Sequence, residues 1–294
     1  MQRRTSRCAV VIIGTCLFYP DKKVKIIRSL EEIREPAGYF FNIDPQSCRE
    51  PSFEYVKIGV EMALQKKIAA LVTAPISKEK WLKAGIKYIG HTQYLAETAA
   101  AADCSMFFWS EKLRVSLFTA HIPLREVFKQ LEKRKIIHFI RTLDRQLQDL
   151  FKKKFTLLVS GLNPHAGEHG SQGDEEIKEI IPAIEALEAA AGKEKKIDIT
   201  GPYPADTVFL KAREIKDSVV ISWYHDQGLI PFKLLNIHSG VNVTLGLPYI
   251  RTSPDHGTAY DIAGGNIADP GSMIAAVDLA EKLVWEAPPG SGRV

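Results

Sequence analysis

Short apolar runs rich in β-branched residues alternate along the chain with longer amphipathic segments. The clearest runs have the length and composition of buried parallel strands, and they are Ala69–Thr73, Val115–Thr119, Phe155–Ser160 and Val219–Trp223. Between them lie segments with apolar residues at helical spacing, namely Glu54–Lys67, Val127–Lys154, Glu175–Ala191 and Pro204–Lys216. Strands that alternate with helices indicate an α/β fold with a mostly parallel sheet.

The amino-terminal segment allows two interpretations. Arg3, Arg4 and Arg7 precede the apolar run Cys8–Tyr19, which is the charge pattern of a signal peptide. The run lacks a small-x-small cleavage site, however, and the β-branched stretch Val10–Ile13 suits a buried strand. It is also shorter than the span of about 20 residues that a bilayer requires. We therefore predict a strand here and no membrane segment.

Composition narrows the class of protein. With 294 residues, 45% hydrophobic and 25% charged, the chain is an ordinary globular protein of about two domains. A formal charge of +4 spread evenly along the chain does not indicate a nucleic-acid partner. The four cysteines form no C-x-x-C pair, so we expect reduced thiols and a cytoplasmic location.

Three successive predicted strands are each followed within a few residues by a histidine, which are His121, His165 and His225. Ligands collect at the carboxyl ends of strands in α/β sheets, and three neutral imidazoles can hold a divalent metal with a coordination position left open. Single histidines of this kind are more often hydrogen-bonded structural residues. The spacing alone leaves both alternatives open. We interpret His138 and His238 as structural.

The stretch Asn242–Pro270 is rich in glycine and proline and contains one arginine, Arg251. A guanidinium can bind phosphate or carboxylate with two parallel hydrogen bonds. The alternative is a turn-rich connection without a binding role. The chain has neither a G-x-x-x-x-G-K-[ST] motif nor a G-x-G-x-x-G motif after a strand, so any dinucleotide would bind without the Rossmann fingerprint.

Six blocks of the sequence resemble 4-hydroxythreonine-4-phosphate dehydrogenase, the PdxA family of vitamin B6 biosynthesis. The blocks are Gly90–Tyr94, Ala120–Leu124, Gly161–Glu168, Gly201–Thr207, Tyr224–Gly228 and Gly240–Ala259. They occur in the order of the family, which makes the resemblance specific. The resemblance implies two α/β/α domains around a cleft, as in isocitrate and isopropylmalate dehydrogenases. By analogy, an outer cofactor-side domain comprises residues 1–92 and 238–294, and a middle domain of residues 93–237 carries the metal ligands and the dimer contact.

The resemblance also implies roles for individual residues. His121, His165 and His225 would bind one divalent metal ion, Zn²⁺, Mg²⁺ or Co²⁺, at an active site shared by the two subunits of a homodimer. The residues implied to contact substrate are His91, Thr92, Lys233, Asn242 and Arg251. Those implied to line the site for NAD or NADP are His256, Gly257, Thr258 and Ala259. Lys233 would orient a carboxylate or pass a proton, with Asp226 as its helper.

The implied activity is a metal-dependent, NAD(P)-linked oxidative decarboxylation. The substrate would be 4-phosphooxy-L-threonine (4-hydroxythreonine 4-phosphate), oxidised to a 3-keto acid that decarboxylates to 3-amino-2-oxopropyl phosphate in pyridoxal phosphate biosynthesis. Related enzymes act on erythronate and threonate 4-phosphates. The amino terminus departs from the family, because its T-x-G-D-P-x-G-I-G-P-E segment has no counterpart here. Three alternatives remain: a dehydrogenase of erythronate or threonate 4-phosphate, a truncated metal-binding protein without turnover, and a three-histidine metal hydrolase that would need no nicotinamide.

Overall fold

The computed structural model describes residues 8–14, 24–34, 38–42, 49–189 and 197–286. Within these ranges the chain forms eleven strands and nine α-helices, which confirms the predicted α/β class. The strands are β1 (Val10–Gly14), β2 (Lys25–Ile27), β3 (Gly38–Asn42), β4 (Ala70–Val72), β5 (Ser105–Trp109), β6 (Arg114–Leu117), β7 (Thr156–Ser160), β8 (Ile199–Tyr203), β9 (Ser218–Ser222), β10 (Val241–Leu245) and β11 (Ile250–Pro254). The helices are α1 (Pro51–Leu64), α2 (Lys78–Lys83), α3 (His91–Thr98), α4 (Leu124–Val127), α5 (Lys133–Phe151), α6 (Ile181–Ala189), α7 (Val208–Glu214), α8 (His225–Asn236) and α9 (Gly271–Glu286).

The strands form two sheets. A parallel three-stranded sheet has the order β1-β3-β2, and an eight-stranded mixed sheet has the order β4-β11-β10-β5-β6-β9-β7-β8. In the larger sheet β6, β9, β7 and β8 are parallel, while β5 is antiparallel to both of its neighbours. Because β6, β9 and β7 are adjacent and parallel, their carboxyl ends meet at one edge of the sheet.

Hydrophobic layers cover both faces of the central strands. On one face Leu157 and Val219 pack with the apolar sides of α5, α6 and α9. On the other face Leu158 and Val220 pack with α7 and α8. All four side chains are completely buried, and each contributes about 1.5–3 kcal/mol relative to an exposed position. Strands buried on both faces explain why the sequence shows continuous apolar runs rather than alternation.

All four strands predicted from apolar runs are present as β4, β6, β7 and β9. The stretch Val10–Ile13 lies in β1, as predicted, rather than in a helix. The predicted helix Val127–Lys154 is shorter in the structure, because Glu132 has extended backbone angles and α5 begins only after it. The helix expected from Glu175 starts with a π-helical turn, Glu176–Ile180, before α6.

The predicted division into two domains remains a prediction. Strand β5, from the proposed middle segment, pairs with β10, from the proposed outer segment, over the register Val241↔Trp109 to Leu245↔Ser105. The large sheet is therefore continuous across the proposed boundaries.

Two further expectations concern thiols and membranes. Cys8 and Cys104 are reduced, and burial raises the pKa of both thiols; Cys16 and Cys48 lie outside the described residues. Among the helices described, none is both long and apolar enough to cross a membrane.

The buried central strands generate a stability prediction. Leu157 is completely buried in β7, whereas Leu234 on α8 is 79% exposed. We expect Leu157→Ala to lower the free energy of unfolding by about 2–5 kcal/mol, because it removes packed methyl groups and leaves a cavity. The same change at Leu234 should alter it by less than about 0.5 kcal/mol. Urea denaturation followed by circular dichroism measures both, and equal losses would contradict this description of the core.

Candidate active site

Three histidines follow the adjacent carboxyl ends of β6, β9 and β7. His121 follows β6, His225 is the first residue of α8 directly after β9, and His165 follows β7. The rings of His121 and His225 lie with their centroids 5.6 Å apart. The structure thus brings two of the three predicted metal ligands together. His165 is exposed to solvent.

Buried hydrogen bonds tie these three strand ends together. The hydroxyl of Thr119 donates to the carbonyl of Trp223 at 2.6 Å, which links the end of β6 to the end of β9. The indole N–H of Trp223 donates to the carbonyl of Ser160 at 2.6 Å, which links β9 to β7. Gln227 accepts from the backbone N–H of Trp223 and donates to the carbonyl of Gly161, each at 2.8 Å. The backbone that carries each histidine is therefore fixed relative to the other two.

The histidine pair has the properties of a divalent-metal site. Partial burial lowers the pKa of His121, and the neighbouring Lys78 and His225 lower this pKa further, which favours the neutral imidazole that a metal binds. His225 Nδ1 lies 2.6 Å from Asp226 Oδ1, and because a carboxylate accepts, Nδ1 carries the proton and Nε2 remains available for a metal. Two imidazoles on one tetrahedral ion, with bonds of about 2.0–2.1 Å, have centroids roughly 5 Å apart, which fits the observed spacing.

The histidine pair supplies two of the three predicted ligands. Within the described residues there is no group of three or more His, Cys, Asp or Glu side chains placed to hold one ion. The predicted trio of His121, His165 and His225 therefore remains a prediction at its third member.

His165 lies in an unusual backbone conformation. All five residues 165–169 have a left-handed backbone. The φ angles of His165, Ala166, Glu168 and His169 lie between 39° and 55°, and that of Gly167 is 79°. A left-handed turn costs roughly 1–2 kcal/mol for each residue other than glycine, and such strain is concentrated at functional sites.

A buried cation lies in the larger sheet. Arg251 of β11 is 4% exposed; Nη1 donates to Thr244 Oγ1 at 2.9 Å and Nη2 donates to Thr73 Oγ1 at 2.6 Å. Its Nε has no hydrogen-bond partner in the part of the chain that the structure describes. Burial lowers the pKa of Arg251 to about 10, which leaves the guanidinium charged at neutral pH. A buried charge with unused donors is suited to an anionic ligand.

His91 lies beside this guanidinium. Burial lowers the pKa of His91 to about 3, and the positive charge of Arg251 contributes to this shift. The ring packs edge-on against Trp81, with centroids 5.8 Å apart, and its Nε2 is buried without a hydrogen-bond partner among the described residues. His91 is therefore a neutral imidazole with an unused nitrogen. Thr92 follows it in the first turn of α3.

Asn242 also carries an unused polar atom. It lies in β10, paired with Ser253 of β11. Its Oδ1 is buried and makes no hydrogen bond to any residue that the structure describes. Unpaired buried polar atoms are rare in folded proteins and indicate a missing ligand or water.

Lys233 faces an acid that sequence reasoning did not select. Its Nζ lies 3.8 Å from Oδ1 of Asp255, whose side chain is 13% exposed. Burial raises the pKa of Asp255, while the nearby positive charges of Lys233, His225 and His256 oppose that rise. Asp255 therefore lies within electrostatic range of His225, Lys233 and His256. Its position directly before His256, at the end of β11, was the signal that could have identified it.

Lys78 is a second residue that sequence reasoning did not select. It begins α2, its charge lowers the pKa of His121, and its side chain packs against Gly90, the residue before His91. The signal was its position in the Ser-Lys pair that follows β4.

The predicted cofactor residues form an exposed loop after β11. His256 Nδ1 lies 2.9 Å from the carbonyl of Gly257, and open space surrounds the Cα of Gly257. Ala259 has a left-handed φ of 48° at the start of a 3₁₀ turn, Tyr260–Ile262. A ligand can approach this backbone closely. The predicted contacts of Gly257, Thr258 and Ala259 with a nicotinamide dinucleotide remain predictions.

The two histidines interpreted as structural have acidic neighbours. His138 Nε2 lies 3.1 Å from Asp103 Oδ1, and His238 Nδ1 contacts Asp269 Oδ2. Both side chains are largely exposed.

Comparison with known proteins defines the class of this chain. The family profile described as "Pyridoxal phosphate biosynthetic protein PdxA" matches residues 23–280. The chain therefore belongs to the PdxA family. It is 43% identical over 270 residues to a 4-hydroxythreonine-4-phosphate dehydrogenase of Sulfurihydrogenibium sp. (strain YO3AOP1), covering 88% of this chain and 82% of the relative.

Two other similarities bear on specificity and fold. A D-threonate 4-phosphate dehydrogenase of Pectobacterium atrosepticum is 40% identical, covering 86% of this chain and 76% of the relative. The crystal structure of 4-hydroxythreonine-4-phosphate dehydrogenase from Klebsiella pneumoniae superposes with a TM-score of 0.80 at 36% identity, covering 94% of this chain and 90% of that one.

The neutral state of His91 predicts a pH-dependent stability. In the unfolded chain this histidine takes up a proton near pH 6.5, whereas in the folded protein it does so only near pH 3. The unfolded state thus binds more protons between these values, so stability falls as the pH falls, by up to about 1.4 kcal/mol per pH unit. We expect His91→Gln to remove this contribution, so that its unfolding free energy falls less than that of the wild type on acidification. Urea denaturation over a pH series measures the difference.

His138→Gln is the matched control, because the side chain of His138 is 64% exposed. It should retain the pH dependence of the wild type. A His91→Gln protein whose stability falls in parallel with the wild type would show that His91 is not held neutral by burial.

Proposed function

We propose that this protein catalyses the metal-dependent, NAD(P)-linked oxidation of 4-phosphooxy-L-threonine, followed by decarboxylation to 3-amino-2-oxopropyl phosphate. The observation that carries the proposal is the buried guanidinium of Arg251, which is charged, lacks an acidic partner among the described residues and lies beside the neutral ring of His91. A phosphorylated acid supplies the anion that this pocket requires. The names of the relatives, which are dehydrogenases of phosphorylated hydroxy acids, support the same reaction.

Arg251 and its neighbours bind and orient the substrate. The Nε of Arg251 and the polar atoms of His91 and Asn242 are buried without partners among the residues described, so substrate oxygens and nitrogens would satisfy them. Thr73 and Thr244 hold the guanidinium fork in place through its two terminal nitrogens. Because these buried groups are already held in place, binding would require little further ordering of the protein.

His121 and His225 would hold the divalent ion, Zn²⁺, Mg²⁺ or Co²⁺. When bound, this ion would lower the pKa of the substrate hydroxyl and polarise the ketone formed by oxidation. The carboxylate of Asp226 keeps the His225 ring in the tautomer that leaves Nε2 unprotonated. We propose that a homodimer completes the ligand set, with His165 of one subunit joining His121 and His225 of the other. The exposed position of His165 supports this arrangement.

Lys233 would orient the substrate carboxylate and supply a proton. Asp255 Oδ1 lies 3.8 Å from its ammonium nitrogen and would orient this group. A bound nicotinamide would accept hydride from the substrate carbon, and the hydroxyl proton would then have to leave the site. Loss of CO₂ then leaves a carbon that takes up one proton, and Lys233 is the group that we propose to supply it. Asp226 assists through His225.

The loop His256–Ala259 would bind the nicotinamide dinucleotide, NAD or NADP. Its exposed backbone and the cation–π contact of Lys80 with Tyr260, at 4.6 Å, support a formed loop next to α2. We also propose a cytoplasmic location, because the substrate and cofactor of this reaction are intracellular metabolites and the thiols of Cys8 and Cys104 are reduced.

A panel of substrates tests the proposed reaction. Absorbance at the NAD(P)H band is followed with NAD⁺ or NADP⁺, each candidate metal, and either 4-phosphooxy-L-threonine or D-threonate 4-phosphate. We expect turnover with the first substrate. Preference for D-threonate 4-phosphate would assign the second activity that the Pectobacterium relative supports. Metal binding without turnover on any substrate would indicate a binding protein, and ester hydrolysis without nicotinamide would indicate a hydrolase.

Arg251 provides a more specific prediction. Arg251→Lys retains a positive charge but loses the fork that bonds Thr73 and Thr244, so it should raise the KM for the phosphorylated substrate about tenfold or more, with little change in the KM for NAD(P)⁺. Steady-state kinetics with each substrate varied in turn measures both constants. A similar increase in both KM values would reject the assignment of Arg251 to the substrate anion.

A further inference from the structure

Glu176 is a completely buried carboxylate outside the residues assigned above. It begins the π-helical turn Glu176–Ile180, and its side chain is 0% exposed. In the described part of the chain no lysine, arginine or histidine forms an ion pair with it. A buried carboxylate of this kind is retained only when hydrogen bonds compensate its lost hydration.

Among the described residues, the hydrogen bonds to the carboxylate of Glu176 come from the segment that leads to His165. Oε1 accepts from the backbone N–H groups of Leu162 and Asn163, each at 2.8 Å. Oε2 accepts from the side-chain Nδ2 of Asn163, also at 2.8 Å. The carbonyl of Asn163 in turn accepts from the N–H of Ala166 at 3.1 Å. Glu176 therefore holds the residue two positions before His165 by both its backbone and its side chain.

The same carboxylate also packs against Gly167, in the middle of the left-handed turn. Gly167 has φ 79°, and a Cβ at this position would lie 2.8 Å from Oε2 of Glu176. Pro164, between Asn163 and His165, restricts the backbone further because its ring fixes φ. With Asn163 held on one side and Gly167 packed on the other, little freedom remains for the backbone of His165.

Both terminal atoms of the side chain at position 176 must accept hydrogen bonds, because their partners are all donors. The amide of Asn163 uses its two hydrogens on two carboxylates, Glu175 Oε2 at 2.7 Å and Glu176 Oε2 at 2.8 Å. A glutamine at 176 that kept its oxygen on the two backbone N–H groups would point its own N–H₂ at Nδ2 of Asn163. Rotating the Asn163 amide would instead direct its oxygen at the carboxylate of Glu175. The first arrangement places two donors against each other, and the second places two acceptors against each other.

We propose that Glu176 is a positioning residue for the metal site: it holds the left-handed turn 165–169 in the conformation that presents His165 to the ion. This inference rests on the proposed function, because it takes His165 to be a metal ligand. Groups that orient a metal ligand from behind change metal affinity by about 10–100-fold when removed.

The test measures Co²⁺ binding to the purified full-length chain by calorimetry and by the visible spectrum of the bound ion. We expect Glu176→Gln to weaken Co²⁺ binding about tenfold or more and to change the spectrum, while circular dichroism and thermal unfolding show a folded protein. Hydrogen exchange of the backbone amides between 161 and 170 should increase in the same variant. A purely structural role would lower the melting temperature without altering the spectrum of the ion.

Glu179→Gln is the matched control. Glu179 lies one turn further along the same segment, and its Oε2 accepts from the backbone N–H of Lys133 at the start of α5, away from the His165 turn. It should bind Co²⁺ as the wild type does. Gly167→Ala is the second variant, for use if Glu176→Gln does not fold. The added Cβ would crowd the carboxylate of Glu176 without removing it. We expect weaker Co²⁺ binding from this variant as well.

The outcomes separate this inference from the proposed reaction. Unchanged affinity and spectrum in folded Glu176→Gln, an equal loss in Glu179→Gln, or a wild-type protein that binds no Co²⁺ would each overturn the role of Glu176. The proposed reaction is judged independently, by NAD(P)⁺ reduction with the phosphorylated substrates in the wild-type protein.

Discussion

The site depends on the fixed register of three strand ends, β6, β9 and β7. Trp223 and Gln227 follow β9 and are almost completely buried. The carbonyl of Trp223 joins β9 to the end of β6, and the indole of Trp223 and the amide of Gln227 join β9 to the end of β7. Breaking one of these bonds would leave a polar group unpaired in the protein interior, at about 1–3 kcal/mol each. The ends therefore cannot slide past one another independently, and the spacing of His121 and His225 follows from this constraint.

Electrostatics then divides the site into regions of different character. Arg251 remains charged within the protein, and this charge, together with burial, keeps His91 neutral. Near the histidine pair, Asp255 is a largely buried acid 3.8 Å from the ammonium group of Lys233, and burial raises its pKa. One region is thus centred on a buried cation and the other on a buried acid next to a lysine. Under the proposed function, the first region would take the phosphate of the substrate and the second its hydroxyl and carboxylate.

Much of the fold could be predicted from the sequence, where local signals were strong. The central strands are buried on both faces, so they appear as unbroken apolar runs. Helix α8 was not predicted, because Gly228 and Pro231 lie within it and both residues weaken helical patterns. The hairpin of β10 and β11 was not predicted either, because it lies in a stretch rich in glycine and proline. No local sequence pattern indicated the π-helical turn at Glu176, since the partners of its side chain are the backbone N–H groups of Leu162 and Asn163, more than ten residues earlier.

By itself the sequence determined the α/β class, the strands that precede the three histidines and, through its matching blocks, the family. Those features are encoded in local spacing and in residue types. Tertiary structure alone decided that the rings of His121 and His225 lie 5.6 Å apart and that Arg251 is buried without an acidic partner among the described residues. It also decided that Asp255 lies beside Lys233 and that the carboxylate of Glu176 binds the backbone before His165. Burial and charge pairing depend on residues far apart in the chain, and sequence spacing carries no information about them.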